Sequence, residues 1–358
     1  MGGRGAGGRG GGGGGGEGMP AFININSWIT SAARPEDILS VVTASLRELN
    51  HVNVSTAFSM LGKMAKRRDS SPRYLTTDGA FQELLRLTRE FAENRKFDPQ
   101  HVANTTHGIA KLHEAGRLGG SGDDTLAALE IEAVRVAPKM KPQELANTVY
   151  AFSGLGRMPG EETWTALESA AVRVAAEMKP QELANTFYAY AKLERMPGDE
   201  AWAALEAAVR RLAPRDMNSQ DVANLVWSYA TLFRMPVEET WAALEAAAVR
   251  VAPDMHAQAV SITLYAYAKL GQTPGDEAWA ALEAAAGRVA PEMVAQAVAN
   301  TVWGYATLGK APGDETWAAL ETAAGRVARG MKPQDLANLV WAYAKLDRDV
   351  ERVRRRRS

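Results

Sequence analysis

The stretch KPQELANTVYAFSGLGRMPGEETWTALESAAVRVAAEM, residues 141–178, decides the fold because it recurs along most of the chain. The Asn of its LAN triplet returns at intervals of 38 or 39 residues from Asn147 onward, with Ile262 in one of these places. A Trp column follows the same interval. The Asn column is Asn104, Asn147, Asn185, Asn224, Asn300 and Asn338, and the Trp column is Trp164, Trp202, Trp241, Trp279 and Trp317. A fixed period of this length predicts stacked structural repeats.

Each unit contains the signals of two helices. The first opens near a Pro such as Pro142, Pro180 or Pro333, and ends before a Met-Pro-Gly turn or its equivalent. The second opens on paired acids such as Glu161 and Glu162, which favour a helix N-terminus. Neither helix could bury its apolar face alone, so stacking must cover it. The sequence therefore predicts an all-α fold, an α-α superhelix of helical hairpins, with the Trp column in the core.

Composition divides the chain into four parts. Residues 1–20 form a Gly-rich tract that is predicted to be a disordered tail. Residues 21–97 carry weaker copies of the unit and are predicted to be divergent helical capping repeats. Residues 98–346 hold the regular repeats, and residues 347–358 form a basic C-terminal tail.

Several classes of function find no support in the residues. The chain has no Cys, which excludes a disulfide framework and a thiol nucleophile. His101, His107 and His113 are spaced by six, so no two of them share a helix face as a metal pair would. Charges interrupt every apolar run, so no membrane span is predicted. We therefore expect a soluble protein that is not an enzyme, without a cofactor, metal, small-molecule substrate or membrane partner.

A polar ribbon is predicted on the face of the first helix that lies opposite its core stripe. Counting its Gln as position 0, the ribbon carries Gln, Asn, an aromatic residue and Lys or Thr at positions 0, 4, 7 and 11. Amides, aromatic rings and cations are the residue types that bind single-stranded RNA. The candidate RNA-binding residues are Gln143, Asn147, Tyr150, Gln181, Asn185, Tyr188, Lys192, Gln220, Asn224, Trp227, Thr231, Gln258, Tyr265, Lys269, Gln296, Asn300, Trp303, Thr307, Gln334, Asn338, Trp341 and Lys345, with Lys66, Arg67 and Arg68 in a basic loop.

Structural interpretations of the same columns remain open. A large aromatic residue at helical spacing more often packs against its neighbour than against a ligand. The Asn and Gln columns could form a hydrogen-bond ladder between repeats, and one residue type in every repeat reads all bases alike. A base code would therefore lie in columns that vary, such as position 5, where Thr186 contrasts with Leu225.

Charge favours neither interpretation decisively. Residues 98–346 contain 22 Lys and Arg against 30 Asp and Glu, and a net-acidic surface attracts phosphate poorly. Twelve of these acids are the helix-start pairs, which are predicted to follow one edge and to leave the other faces mildly basic. A column of Arg on the second helix is predicted to be a solvated outer face. It comprises Arg135, Arg173, Arg211, Arg250, Arg288 and Arg326.

The strings PGDETWAAL and PQDLANLVWAYAKL resemble the octotricopeptide repeat of algal and protist organelle proteins, over about residues 98–346. The segment HVNVSTAFSMLGKM from His51 is similar to FAST-kinase-like proteins and to repeat proteins of the RNA-editing substrate-binding complex. The resemblance implies a chloroplast or mitochondrial factor that binds single-stranded organelle RNA. Its role would be RNA processing, editing, stability or translation, beside other RNA-processing or ribosome-associated proteins. The RAP domain common in relatives is not found, and no transit peptide is evident.

A protein-protein interaction scaffold of the TPR or HEAT type is the alternative, because such solenoids serve both roles.

Overall fold

The computed structural model describes residues 21–65, 75–118 and 122–357, with side chains described up to residue 346 except those of residues 21, 22 and 76. These residues form seventeen α-helices and no strand. The helices are α1 (Ala21–Ser31), α2 (Pro35–Ala44), α3 (His51–Met64), α4 (Gly79–Glu93), α5 (Pro99–Glu114), α6 (Asp123–Val136), α7 (Pro142–Leu155), α8 (Glu161–Val174), α9 (Pro180–Lys192), α10 (Asp199–Leu212), α11 (Ser219–Leu232), α12 (Glu238–Val251), α13 (Ala257–Leu270), α14 (Asp276–Val289), α15 (Ala295–Leu308), α16 (Asp314–Val327) and α17 (Pro333–Arg357).

The helices stack in two rows, as the repeat predicts. Each odd-numbered helix packs against the next odd-numbered one, and we call this the inner row. The even-numbered helices form the outer row and likewise pack against one another. The α1–α2 and α3–α4 hairpins continue both rows on the N-terminal side. The fold is therefore an all-α solenoid.

Local capping sets the start of the inner helices. Pro142 and Pro180 occupy the first turn, where a backbone N–H has no helical partner to lose. The backbone N–H of Lys141 donates to Glu144 Oε2 at 2.8 Å, and that of Lys179 donates to Glu182 in the same way at 2.8 Å. The local sequence thus specifies where these inner helices begin.

The turn after an inner helix needs a residue in the left-handed backbone conformation. Gly156, Gly271 and Gly309 supply it with φ between 61° and 66°. Glu194 and Phe233 adopt the same region with φ of 52° and 51°. Because a side chain is strained there, the repeat imposes this turn even where Gly is missing.

The Trp column lies in the core, as predicted for Trp164, Trp202 and Trp279, or packs against it from a partly buried position in the case of Trp241 and Trp317. Trp164 of α8 is fully buried and stacks on Tyr190 of α9, with ring centroids 5.2 Å apart. Trp279 meets Tyr305 of the following inner helix at 5.3 Å in an edge arrangement. Each such pair joins the outer helix of one unit to the inner helix of the next, so the core is continuous between units.

Two charged columns join neighbouring outer helices. The guanidinium of Arg250 donates to the carbonyl oxygens of Ala213, Pro214 and Met217 in the preceding unit. Other members of the Arg column reach the equivalent carbonyls, namely Arg173, Arg211, Arg288 and Arg326. The column is solvent-exposed as predicted, but the sequence did not predict that it binds these carbonyls.

A Glu column makes the complementary connection toward the following unit. Glu283 of α14 accepts the backbone N–H of Gly313, just before α16, at 2.7 Å. Glu130, Glu168, Glu206 and Glu245 accept the equivalent N–H groups. Each carboxylate lies at the positive end of the next outer helix, where negative charge is stabilising. Outer helices are therefore bonded to both of their neighbours.

Candidate nucleic-acid interface

One groove runs along the inner row, with a volume of about 1260 Å³. Residues at positions 0, 4 and 7 of successive inner helices line it. The predicted ribbon residues in its lining are Asn147, Tyr150, Gln181, Asn185, Tyr188, Gln220, Asn224, Trp227, Gln258, Tyr265, Gln296, Asn300, Gln334 and Asn338. The stacking of units thus turns three columns of the sequence into one continuous surface.

Other ribbon residues lie outside this lining. They are Gln143, Trp303, Trp341 and the position 11 residues Lys192, Thr231, Lys269, Thr307 and Lys345. Position 11 contributes only Lys111 to the groove wall of the described chain. The basic loop residues Lys66, Arg67 and Arg68 lie outside the described residues, as do residues 1–20.

Apart from one pair within α17, the amides of the groove make no hydrogen bonds to one another in the described part of the chain. The Gln side chains at position 0 are exposed, and the Asn side chains at position 4 are half-buried. The Gln334 amide donates to Asn338 Oδ1 at 2.9 Å, within one helix. No hydrogen bond joins the Asn side chains of neighbouring repeats in the part of the chain that the structure describes. A ladder between repeats is therefore not formed there, and the amides keep free donors and acceptors.

The aromatic column stacks on itself. The Tyr150 and Tyr188 rings are 5.9 Å apart and inclined by 25°, and Tyr188 and Trp227 are 5.1 Å apart. Farther along, Tyr265 and Trp303 are 5.0 Å apart. The packing interpretation of this column is therefore confirmed, since these rings contact the adjacent repeat. Edges of Tyr150, Tyr188, Trp227 and Tyr265 still reach the groove.

The stack begins at His107, which differs from the Tyr or Trp at position 7 of the other units and is not among the candidate RNA-binding residues. Its ring lies 5.9 Å from that of Tyr150. Burial, and then the neighbouring Lys111 ammonium, lower the pKa of His107. The imidazole is therefore neutral at neutral pH and serves as one more ring of the stack.

Three groove residues at or just before the start of inner helices were also missed. His256 caps α13 by accepting the Ala259 backbone N–H on Nδ1, and its side chain lines the groove. Glu292 and Asp335 bring acids to the same wall. His256 would have been found if the ribbon had been extended by up to one helical turn before position 0 of each inner helix.

The cations at position 11 are held beside aromatic rings. Lys269 Nζ lies 4.7 Å from the centroid of the exposed Phe233 ring, and Lys345 Nζ lies 5.0 Å from that of Trp341. Lys111 Nζ donates to Glu114 at 2.9 Å and to the Tyr150 hydroxyl at 3.3 Å. Lys192 is exposed and makes no ion pair among the described residues. Three of these four cations are therefore held beside aromatic rings.

The acidic edge is partly neutralised between units. Arg195 binds the Glu161 carboxylate with two hydrogen bonds of 2.7 Å, and Arg234 pairs with Asp199 at 3.3 Å. Arg195 lowers the pKa of Glu161, chiefly through these hydrogen bonds. The helix-start acids therefore lie beside cations from the turn of the next unit, which reduces their field at the groove.

Two further findings concern other kinds of site. The described residues contain no group of three or more His, Asp or Glu that could hold a metal ion. No described helix is both long enough and apolar enough to cross a membrane.

Fold and groove together define the chain as an α-solenoid with an amide-rich inner groove. No family model matches the chain, so its resemblance to the octotricopeptide repeat stays a prediction. No curated protein matches it either. Among solved structures, it is similar to an engineered protein at 12% identity, over 92% of this chain and 97% of that one, with a TM-score of 0.23.

Proposed function

We propose that this chain binds single-stranded RNA along the inner groove, as a non-catalytic factor in organelle RNA processing, stability or translation. The observation that supports it most is the row of half-buried Asn side chains, whose amides find no partner in neighbouring repeats. An amide both donates and accepts, as the edges of nucleobases do. The organelle assignment depends on the family resemblance.

The small number of cations predicts an unusual salt dependence. Lys111 lines the groove, and Lys192, Lys269 and Lys345 belong to the same ribbon. If these four cations of the described residues make the phosphate contacts, the slope of log K against log salt should be about −3. Base contacts would then supply most of the affinity, in contrast to a protein that binds through a basic surface.

Fluorescence anisotropy with a labelled random-sequence single-stranded RNA, at two salt concentrations, tests the proposal. The variant Asn147→Ala, Asn185→Ala, Asn224→Ala and Asn300→Ala removes four groove amides without loss of helix propensity. It should bind at least about tenfold more weakly, because each lost hydrogen bond is worth about 1 kcal/mol. The control replaces exposed hydroxyl residues of outer helices, Thr165, Ser169 and Thr322, with Ala and should bind normally.

The second candidate function is that of a protein-protein interaction scaffold, and the acidic residues of the groove favour it. Glu292 and Asp335 repel phosphate, whereas a row of amides also suits the alternating N–H and C=O groups of an extended peptide. Wild-type protein that binds no RNA at low salt, but recovers a protein partner lost in the Asn variant, would establish this alternative. If RNA does bind, cross-linking and sequencing from the organelle would identify the transcript.

A further inference from the structure

Ring stacking limits where a nucleobase can be held in the groove. A base between two rings needs about 3.5 Å to each, hence about 7 Å between the ring planes. Within the stack the centroid separations run from 5.0 Å to 6.4 Å, which leaves no room for a third ring. Most aromatic residues of the column therefore offer only edges to a ligand.

The stack is interrupted once along the inner row. Ring contacts connect His107, Tyr150, Tyr188 and Trp227, and they resume at Tyr265. Among the described residues, no ring contact joins Trp227 to Tyr265. Both residues line the groove, and each already has a stacking partner on its far side, Tyr188 or Trp303. At this step, each of the two rings lacks a ring partner on the side of the other, in a groove that a ligand can reach.

The surroundings of the interruption differ from those of other units. Ile262 replaces Asn in the α13 column and lines the same groove, so an apolar side chain lies one helical turn from Tyr265. Lys269 follows Tyr265 by one turn, and its ammonium is held over the Phe233 ring at 4.7 Å. A planar apolar group therefore finds two rings and an apolar neighbour in the groove at this step, and the Lys269 ammonium lies one helical turn beyond Tyr265, outside the groove lining.

We propose that an unpaired base of the bound RNA inserts between Trp227 and Tyr265, with the Lys269 ammonium binding a phosphate beside it. This inference rests on the proposed function and specifies where along the groove stacking takes place. Base stacking on aromatic side chains is worth about 1 to 3 kcal/mol for each base. The interruption would anchor one nucleotide, and the amides on either side would bind the flanking ones.

Four substitutions to Leu, which keep apolar volume, separate this step from aromatic rings elsewhere in the chain. Trp227→Leu and Tyr265→Leu each remove a ring at the interruption. Trp28→Leu and Trp317→Leu are controls, because each removes a Trp ring that does not line the groove. The first pair should weaken binding of a random-sequence single-stranded RNA by about tenfold, and the controls by less than about twofold. Thermal unfolding followed by circular dichroism establishes that each variant folds.

A second measurement on the wild-type protein does not depend on any variant. RNA that carries 5-iodouridine is irradiated on the protein, and the cross-linked residues are mapped by mass spectrometry. Cross-links should concentrate on Trp227 and Tyr265. Lys269→Gln should also reduce the salt slope by about 0.7, the value for one phosphate contact on a single strand.

The possible failures are distinct. If the wild-type protein binds RNA but the controls lose as much affinity as Trp227→Leu, or cross-links spread evenly along the column, the insertion site is wrong and RNA binding stands. If the wild-type protein binds no RNA at low salt, both the site and the proposed function are overturned.

Discussion

Single side chains determine how one unit is joined to the next. Arg250 is solvent-exposed, yet its guanidinium donates to three carbonyl oxygens that belong to the end of the preceding outer helix and the loop after it. No backbone N–H of the helix donates to these carbonyl oxygens, so the Arg250 guanidinium supplies the missing hydrogen bonds. Its positive charge also stabilises the negative C-terminal end of that helix. Arg250 is therefore part of the interface between repeats, although its exposure alone is that of a surface residue.

Arg250→Ala should lower the free energy of unfolding by about 1 to 3 kcal/mol, because charge-assisted hydrogen bonds are lost. Arg250→Lys should recover little of this free energy of unfolding, since an ammonium cannot bind all the carbonyl oxygens that the planar guanidinium binds. Arg215→Ala is the control, as this nearby exposed Arg makes no side-chain hydrogen bond among the described residues. Urea unfolding of the three variants measures the effect, and equal losses at both sites would contradict it.

The inner tyrosines make the protein sensitive to alkali. The hydroxyls of Tyr190, Tyr229, Tyr267 and Tyr305 are buried and have no hydrogen-bond partner in the described chain. Burial, and then a nearby Glu carboxylate, raise the pKa of each phenol well above its ordinary value. Above pH about 10 the unfolded chain loses these protons while the folded chain keeps them, so stability falls as the pH rises.

Tyr190→Phe combined with Tyr267→Phe should therefore weaken the loss of stability above pH about 10, by about 1.4 kcal/mol per pH unit for each Tyr replaced. At pH 7 the same variant should be as stable as the wild type or more stable, because two unpaired hydroxyls are removed. Urea unfolding between pH 8 and pH 11 tests both statements. An unchanged slope in the double variant would show that these phenols ionise freely in the folded state.

At the scale of helices, the distance between neighbours in the inner row depends on small residues. A Cβ at Gly108 of α5 would collide with the backbone carbonyl of Phe58 in α3. A Cβ at Gly304 of α15 would lie 3.1 Å from the Leu264 oxygen in α13. The inner helices are close enough at these points that a methyl group must displace backbone, which is costly in a packed interior.

Gly108→Ala should cost about 2 kcal/mol or more, since it overpacks the contact between α3 and α5. Gly325→Ala in α16 should instead stabilise by up to about 1 kcal/mol, because its Cβ would meet nothing within 4 Å and Ala favours the helix. Thermal unfolding of the two variants provides the comparison. A gain at both positions would mean that α3 can move away from α5 at little cost.

At the scale of the whole molecule, the last described inner helix differs from its predecessors in the exposure of its apolar column. Val302 of α15 is fully buried, whereas Val340, at the same position of α17, is 62% exposed. Leu336 of α17 is likewise 51% exposed, although its equivalent in α15, Val298, is fully buried. The same apolar column is therefore core inside the stack and surface at its last described inner helix.

Val302→Lys should destabilise the protein by more than about 3 kcal/mol, because it buries an unpaired charge. Val340→Lys should change stability by less than about 0.5 kcal/mol, as expected of a surface position. Urea unfolding of both variants measures the difference. A large loss at Val340 as well would indicate that another molecule, such as a second copy of the chain, covers α17 in solution.

The amino-acid sequence alone predicted the repeat, the two helices of each unit and the Trp core. These features depend on local signals and on a strict period, such as Pro142, the paired acids at Glu161 and Glu162, and the recurring Trp. Positions 0, 4 and 7 were also placed correctly on one face of the inner helices, because helical spacing decides which residues share a face.

Only the tertiary structure decided what those columns contact. Whether Asn185 pairs with Asn224, whether Tyr188 stacks on Trp227, and where the stack is interrupted depend on shifts of about an ångström between units, and the period contains no such information. The Arg column shows the same limit, since helical spacing placed it on the exposed side while the carbonyls it binds come from another unit. The sequence therefore determined the faces of each helix, and the packing of one unit on the next determined which of their groups remain free to bind a ligand.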